Sequence, residues 1–352
     1  MCVKGSQIGI IGGGIAAAVI IAVLFVSMGT QNDAAPLPTT SDVVIPSEDK
    51  FLVYTTFYPL YQFTQGVAGD AADVRILIPA NGDPHSFELG PKTIVDLTKA
   101  DMLVYNGANF EPYIDEIMSS SDFDHIIFVD SSEGISLMEG EVHDHSSHGS
   151  HDDEKHDDHA KEDGHDEHTE EGDMDHTYDP HIWLDPILAK SQVMTIADHL
   201  KESDPEHADI YHDNGISYAN QLDQLDQEIR SDVSSCAKDT FVPFHNAFSY
   251  FAERYDLNTL AVIQEFSPET PVTAKDIEEL IHFAEDNDIK YFFTEENRNP
   301  RIAERLATEL GGDILLFSPL ESLTTEDNEN TTYFDKMRQN VDNLQIALEC
   351  SS

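Results

Sequence analysis

The sequence predicts an α/β protein of two similar lobes, each a mainly parallel four-stranded sheet with helices, joined by one long rigid helix. Three observations carry this. Short β-rich runs alternate with helical stretches, which implies parallel pairing. The alternation occurs twice along the chain. Between the two occurrences, Tyr211, Gly215, Tyr218, Leu222, Leu225, Ile229 and Val233 recur at steps of three and four, marking one face of a long helix.

In the first half the expected strands are Phe51–Phe57, Val74–Ile78, Met102–Tyr105 and His125–Val129. Helical stretches at Thr93–Lys99 and Glu111–Ser119 lie between them, with Pro91 and Pro112 near their starts. The connecting helix is expected over residues 205–234, beginning near Pro205. In the second half the expected strands are Thr240–Phe244, Leu260–Gln264, Lys290–Thr294 and Asp313–Phe317. Helices Ala247–Tyr255, Ala274–Asp286 and Pro300–Leu310 separate them, and Gly311 and Gly312 close the last. Phe334, Met337, Val341, Leu344 and Leu348 give a final amphipathic helix. The first lobe thus spans residues 51–204 and the second 235–352.

Two segments break this pattern. Ile8 through Val26 carries no charged side chain and is long enough to cross a hydrocarbon core of roughly 30 Å as a helix. Lys4 on its N-terminal side places the bulk of the chain outside. Residues 1–29 therefore read as a membrane anchor, or as a signal segment that is cleaved, and residues 30–50 as a flexible tether rich in Pro, Thr and Ser. The second is the stretch 141–176, which has almost no aliphatic residues and is expected to be a disordered loop. His143, His145, His148, His151, His156, His159, His165, His168 and His176 alternate there with Asp and Glu. Imidazole is a common ligand for zinc and copper, and carboxylates add charge attraction, so the loop reads as weak, exchanging metal sites.

The formal net charge of −49 over 352 residues repels phosphate. Nucleic acid and anionic substrates are poor candidates, whereas cations are attracted; an acidic surface suited to a salty habitat is compatible with the same charge. Cys236 and Cys350 are the only cysteines in the exported part. They form a disulfide in an oxidising compartment, or remain as two buried thiols.

An ordered metal site needs ligands on folded elements. His85 stands in a Gly/Pro turn after an expected strand, His181 beside the single tryptophan, and His245 at the end of a strand before a helix. Strand ends are where functional groups of α/β lobes gather. Three histidines with an open position are also how catalytic zinc is built, so a secreted zinc hydrolase is the rival reading. Against it stands the absence of a His-Glu-x-x-His run. A surface metal sink or adhesin without a permease is a third.

Six stretches then resemble one family, the zinc- and manganese-binding proteins of ABC importers. They are Thr55-Thr-Phe-Tyr-Pro-Leu, Gly82-Asp-Pro-His-Ser-Phe-Glu, Val104-Tyr-Asn-Gly-Ala-Asn-Phe-Glu-Pro112, Asp179-Pro-His-Ile-Trp-Leu-Asp-Pro186, Pro243-Phe-His through Tyr255, and Phe293-Thr-Glu. The resemblance covers nearly all of residues 51–350 in the family's order. It implies metal held between the lobes by His85 and His181 against His245, with Zn(II) as cargo passed to an ABC permease and its ATPase. It implies a binding protein and not an enzyme, on the extracytoplasmic face of the membrane, and a monomer is expected. Many members carry a metal-binding Asp in a Leu-Asp-Pro-Leu run, where this chain has Phe317-Ser-Pro-Leu320. Ser318 is a poor zinc ligand, so water or Glu295 is expected to fill the fourth place. Because ligation needs neutral imidazole, affinity is expected to fall as pH drops through roughly 6.5.

Overall fold

The computed structural model describes residues 50–140 and 178–351, apart from 269, 270, 297, 325, 326, 328 and 329. The expected anchor and tether, and the histidine-rich stretch 141–176, lie outside the described residues. Among the described residues, no helix is long and apolar enough to cross a membrane.

The first half is a four-stranded parallel sheet. Strands β1 (Phe51–Thr55), β2 (Ala72–Ile76), β3 (Met102–Tyr105) and β4 (Ile127–Asp130) lie in the order β2-β1-β3-β4. Helix α1 (Tyr58–Ala68) crosses from β1 to β2, starting on Pro59 and ending at Gly69, whose φ of 54° suits a residue without a Cβ. Short helices α2 (Pro91–Leu97) and α3 (Ile114–Met118) complete the crossovers.

The chain then leaves the sheet through α4 (Pro186–Ser203) and α5 (Ala208–Val233). Asp185 caps α4 by accepting from the amides of Ile187 and Leu188. The 26 residues of α5 span about 39 Å. Its buried face carries Tyr211, Gly215, Tyr218, Leu222, Leu225 and Ile229, and Val233 packs partly buried beyond them. Gly215 is required by close packing, because a Cβ there would stand 2.8 Å from the Ala197 Cβ of α4.

The second half departs from expectation. Among the described residues, strand β5 (Thr240–Phe241) ladders with β6 (Asn258–Thr259) and β7 (Tyr291–Thr294) with β8 (Asp313–Leu316), so the expected four-stranded sheet is two short parallel ladders. Isolated bridges Val242 to Phe292 and His245 to Ile263 continue the pairing between and beyond them. Pro243 has no N–H to donate, which cuts β5 short of the expected Phe244. Helices α6 (Ser249–Arg254), α7 (Ala274–Asp286) and α8 (Arg301–Leu310) intervene, and α9 (Tyr333–Ala347) closes the fold.

One apolar core runs through both halves, including Val53, Phe63 and Trp183 from the first and Phe251, Phe293 and Leu344 from the second. The segment 179–185 crosses this boundary and is stitched to the second half at four points. Tyr250 Oη donates to the Asp179 carbonyl at 2.9 Å, and Arg254 Nε to Asp185 Oδ2 at 2.7 Å. Trp183 Nε1 donates to the Pro319 carbonyl at 2.8 Å, and Tyr333 Oη to the Trp183 carbonyl at 2.7 Å.

A disulfide joins Cys236, just past α5, to Cys350, just past α9. It closes a loop across 114 positions. Loop-closure entropy gives such a bond about 4 kcal/mol. Changing both cysteines to serine is therefore expected to lower the melting temperature by about 10 °C, and nonreducing peptide mapping of the natural protein to recover the linked pair. A double mutant that melts with the parent would show that the bond contributes nothing to stability.

Candidate metal centre

Two copies of the same tripeptide, Asp-Pro-His, build one side of the site. Asp83 Oδ1 accepts from the His85 amide and Asp179 Oδ1 from the His181 amide, both at 2.9 Å. These are turns closed by an aspartate two residues before each histidine. His85 lies on the irregular segment after β2, and His181 in the stitched segment before α4. His245 follows the short β5 at its bridge to Ile263.

The three imidazoles converge on a fourth group. His85 Nε2 lies 3.0 Å from Glu321 Oε1, His245 Nε2 3.4 Å and His181 Nε2 3.6 Å. His245 Nε2 and His181 Nε2 are 3.3 Å apart. All four donor atoms lie within 4.8 Å of one another. A tetrahedral zinc bound at about 2.0–2.1 Å sets its donors about 3.3 Å apart, so these separations suit such an ion. His181 and His245 are fully buried, and Glu321 nearly so. The Phe110 ring packs edge-on against His85 at 4.9 Å and adds an apolar wall.

Glu295, expected as a stand-in fourth ligand, occupies a different place. Its Oε1 accepts from His245 Nδ1 at 2.5 Å, on the far side of the ring from the cluster. Asp179 Oδ1 plays the same part for His181 Nδ1 at 2.8 Å. A carboxylate behind each ring fixes the proton on Nδ1 and leaves Nε2 as the donor to a metal. Ser318 lies outside the cluster, and its Oγ accepts from the Leu320 amide at 3.1 Å. Leu320 takes a positive φ of 59°, which turns the chain so that Glu321 points inward.

Sequence reading missed Glu321 and Asp179. The signal for the first was a carboxylate directly following the Phe317-to-Leu320 run; for the second, an aspartate two residues before a histidine. A further buried network supports the His181 segment. Asn106 Nδ2 donates to the Pro180 carbonyl at 2.8 Å. Glu111 accepts from the Asn106 amide and the Thr56 hydroxyl at 2.7 and 2.6 Å.

The imidazoles and the carboxylate of the cluster shift one another's titration. Burial works against a charged His245, but Glu295 and then Glu321 outweigh it and push its pKa up to about 10. His181 is likewise raised, burial being overcome by Asp179 and Glu321. Burial also opposes ionisation of Glu321, yet the three histidines hold its carboxyl well below the usual range.

The family model described as "Zinc-uptake complex component A periplasmic" matches residues 53–347. The chain is 34% identical over 301 residues to the "High-affinity zinc uptake system protein ZnuA" of Bacillus subtilis, covering 85% of this chain and 88% of that protein. It is 34% identical over 304 residues to the "Zinc-binding protein AdcA" of Streptococcus pyogenes, covering 86% of this chain but only 57% of that longer protein. Among solved structures, the Zn(II)-bound ZnuA-like domain of Streptococcus pneumoniae AdcA superposes with a TM-score of 0.67 at 28% identity. That match covers 85% of this chain and 99% of the domain.

A raised folded-state pKa means that His245 carries its proton at neutral pH and loses it only as pH rises through about 10. A cation arriving at Nε2 must displace that proton. Zinc binding at pH 7 is expected to release about one proton or more per ion, with affinity climbing with pH well beyond the 6.5 of a free imidazole. Titration calorimetry in buffers of different ionisation enthalpy measures this. Zero release would show that His245 is neutral before zinc arrives.

Proposed function

The chain belongs to the zinc-uptake complex component A family, and on that premise we propose that it captures Zn(II) outside the cytoplasm and delivers it to an ABC permease with its ATPase. The observation that carries this is the convergence of three imidazole nitrogens and one carboxylate oxygen within 4.8 Å in a buried site. Nitrogen-rich donors suit zinc, whereas manganese prefers oxygen. His85, His181, His245 and Glu321 are the ligands in this reading, and Glu295 and Asp179 orient two of the rings.

The same geometry argues against a zinc hydrolase. Catalytic zinc keeps a position open for water, and here four protein groups stand ready as donors. The protein is a carrier and not an enzyme. Its two halves act as lobes braced by α5. It works as a monomer on the outer face of the membrane, held by residues 1–29 or released if that segment is cleaved. The disulfide fits an oxidising compartment. The nine histidines of residues 141–176 collect zinc for the ordered site.

Replacing His85, His181 or His245 by alanine is expected to weaken tight zinc binding at least about ten-fold each. His199, His207 and His282, outside the cluster, should tolerate the same change. Three tolerant cluster mutants would place the site elsewhere. Deleting residues 143–176 should remove weak extra sites and leave one tight site; loss of that site would make the tract part of it. Zinc uptake by vesicles carrying the permease and ATPase tests delivery: uptake that does not depend on this protein would overturn the transport role.

A further inference from the structure

Glu321 is carried on irregular chain, and one face of α9 grips that chain on both sides of it. Asn343 Nδ2 donates to the Leu316 carbonyl at 2.8 Å. Asn340 takes both backbone groups of Ser318, Oδ1 accepting from its amide at 2.7 Å and Nδ2 donating to its carbonyl at 2.6 Å. Lys336 Nζ lies 3.0 Å from Asp327 Oδ2, and 2.9 Å from Glu296 Oε1. The spacing 336, 340, 343 is that of one helical stripe. This stripe is polar yet largely buried: Lys336 and Asn340 are each only 3% exposed.

A buried ammonium is rarely tolerated without partners, and removing its partners or itself leaves uncompensated charge. Lys336 meets two carboxylates, and each belongs to a different part of the site. Glu296 directly follows Glu295, which orients His245. Asp327 lies in the chain that follows Glu321, and its Oδ2 also accepts from the Thr324 amide at 2.8 Å. Burial works against a charged Asp327, but the Thr324 amide and then Lys336 outweigh it and lower its pKa.

We propose that Lys336, with Asn340 beside it, is a positioning residue that sets Glu321 at the distance the three histidines require and ties its chain to the Glu296 carboxylate, next to Glu295. It touches no metal; it acts through the chain that carries the fourth ligand. The inference rests on the reading of Glu321 as that ligand. It gives the polar stripe of α9 a role that packing alone does not, since an apolar stripe would bury this helix as well.

The test compares the parent, Lys336→Met, Glu321→Gln and the double mutant, each checked for folding by circular dichroism. Zinc affinity is read by competition, and the visible absorption of the Co(II)-loaded protein reports coordination number and symmetry. Lys336→Met is expected to weaken zinc about ten-fold, as loss of an orienting partner does, and to move the cobalt spectrum toward that of Glu321→Gln. The double mutant should bind within about two-fold of Glu321→Gln, because residues acting through one another do not add. If Lys336→Met does not fold, Asn340→Ala takes its place with the same readouts. Unchanged affinity and cobalt spectrum in the folded variant, or losses that multiply in the double mutant, would overturn the inference alone. A Glu321→Gln protein that binds zinc like the parent would overturn the ligand reading, and this inference with it.

Discussion

The carboxylate of Glu321 faces three imidazoles at 3.0 to 3.6 Å in a site almost closed to water. An isolated carboxylate so placed would be severely destabilised. It is tolerated because protonated imidazole stands opposite it, and that protonation is sustained by Glu295 and Asp179 behind the rings. On the reading of these four groups as ligands, protons and a divalent cation compete for one electrostatic slot. The raised pKa of His245 keeps positive charge facing Glu321 at neutral pH.

Rigidity around the site follows from the segment 179–185. It belongs by sequence to the first half, yet Tyr250, Arg254, Pro319 and Tyr333 of the second half hold it at four hydrogen bonds. Each neutral bond of this kind contributes about 1 kcal/mol net, and the Arg254 pair more. The continuous apolar core through both halves adds to them. Parting the halves along this seam would disrupt all of these together. His181 is consequently the corner of the cluster tied to both halves, whereas His85 is the least buried of the three histidines.

Much of this was legible in the sequence where a periodic or local signal existed. Helix α7 has the bounds that its pattern predicts, with Thr273 and Asp276 forming reciprocal caps at its start. The step of three and four from Tyr211 to Val233 gives α5 almost to the residue. His85, His181 and His245 were picked out by context and are brought together. The strand count in the second half misled, because apolar runs around Pro243 look continuous although a proline cannot donate to a ladder. Glu321 was hidden for a different reason. Its direction depends on the left-handed turn at Leu320 and on a helix beginning a dozen residues later, and a leucine does not announce a left-handed turn.

The chain contains a single tryptophan, and it is entirely buried with its ring 5.2 Å from His181. Light from this protein excited at the red edge of its absorption comes from one ring beside one histidine of the cluster. The emission of this molecule is therefore a local one, reporting the surroundings of a single buried position at the edge of the cluster.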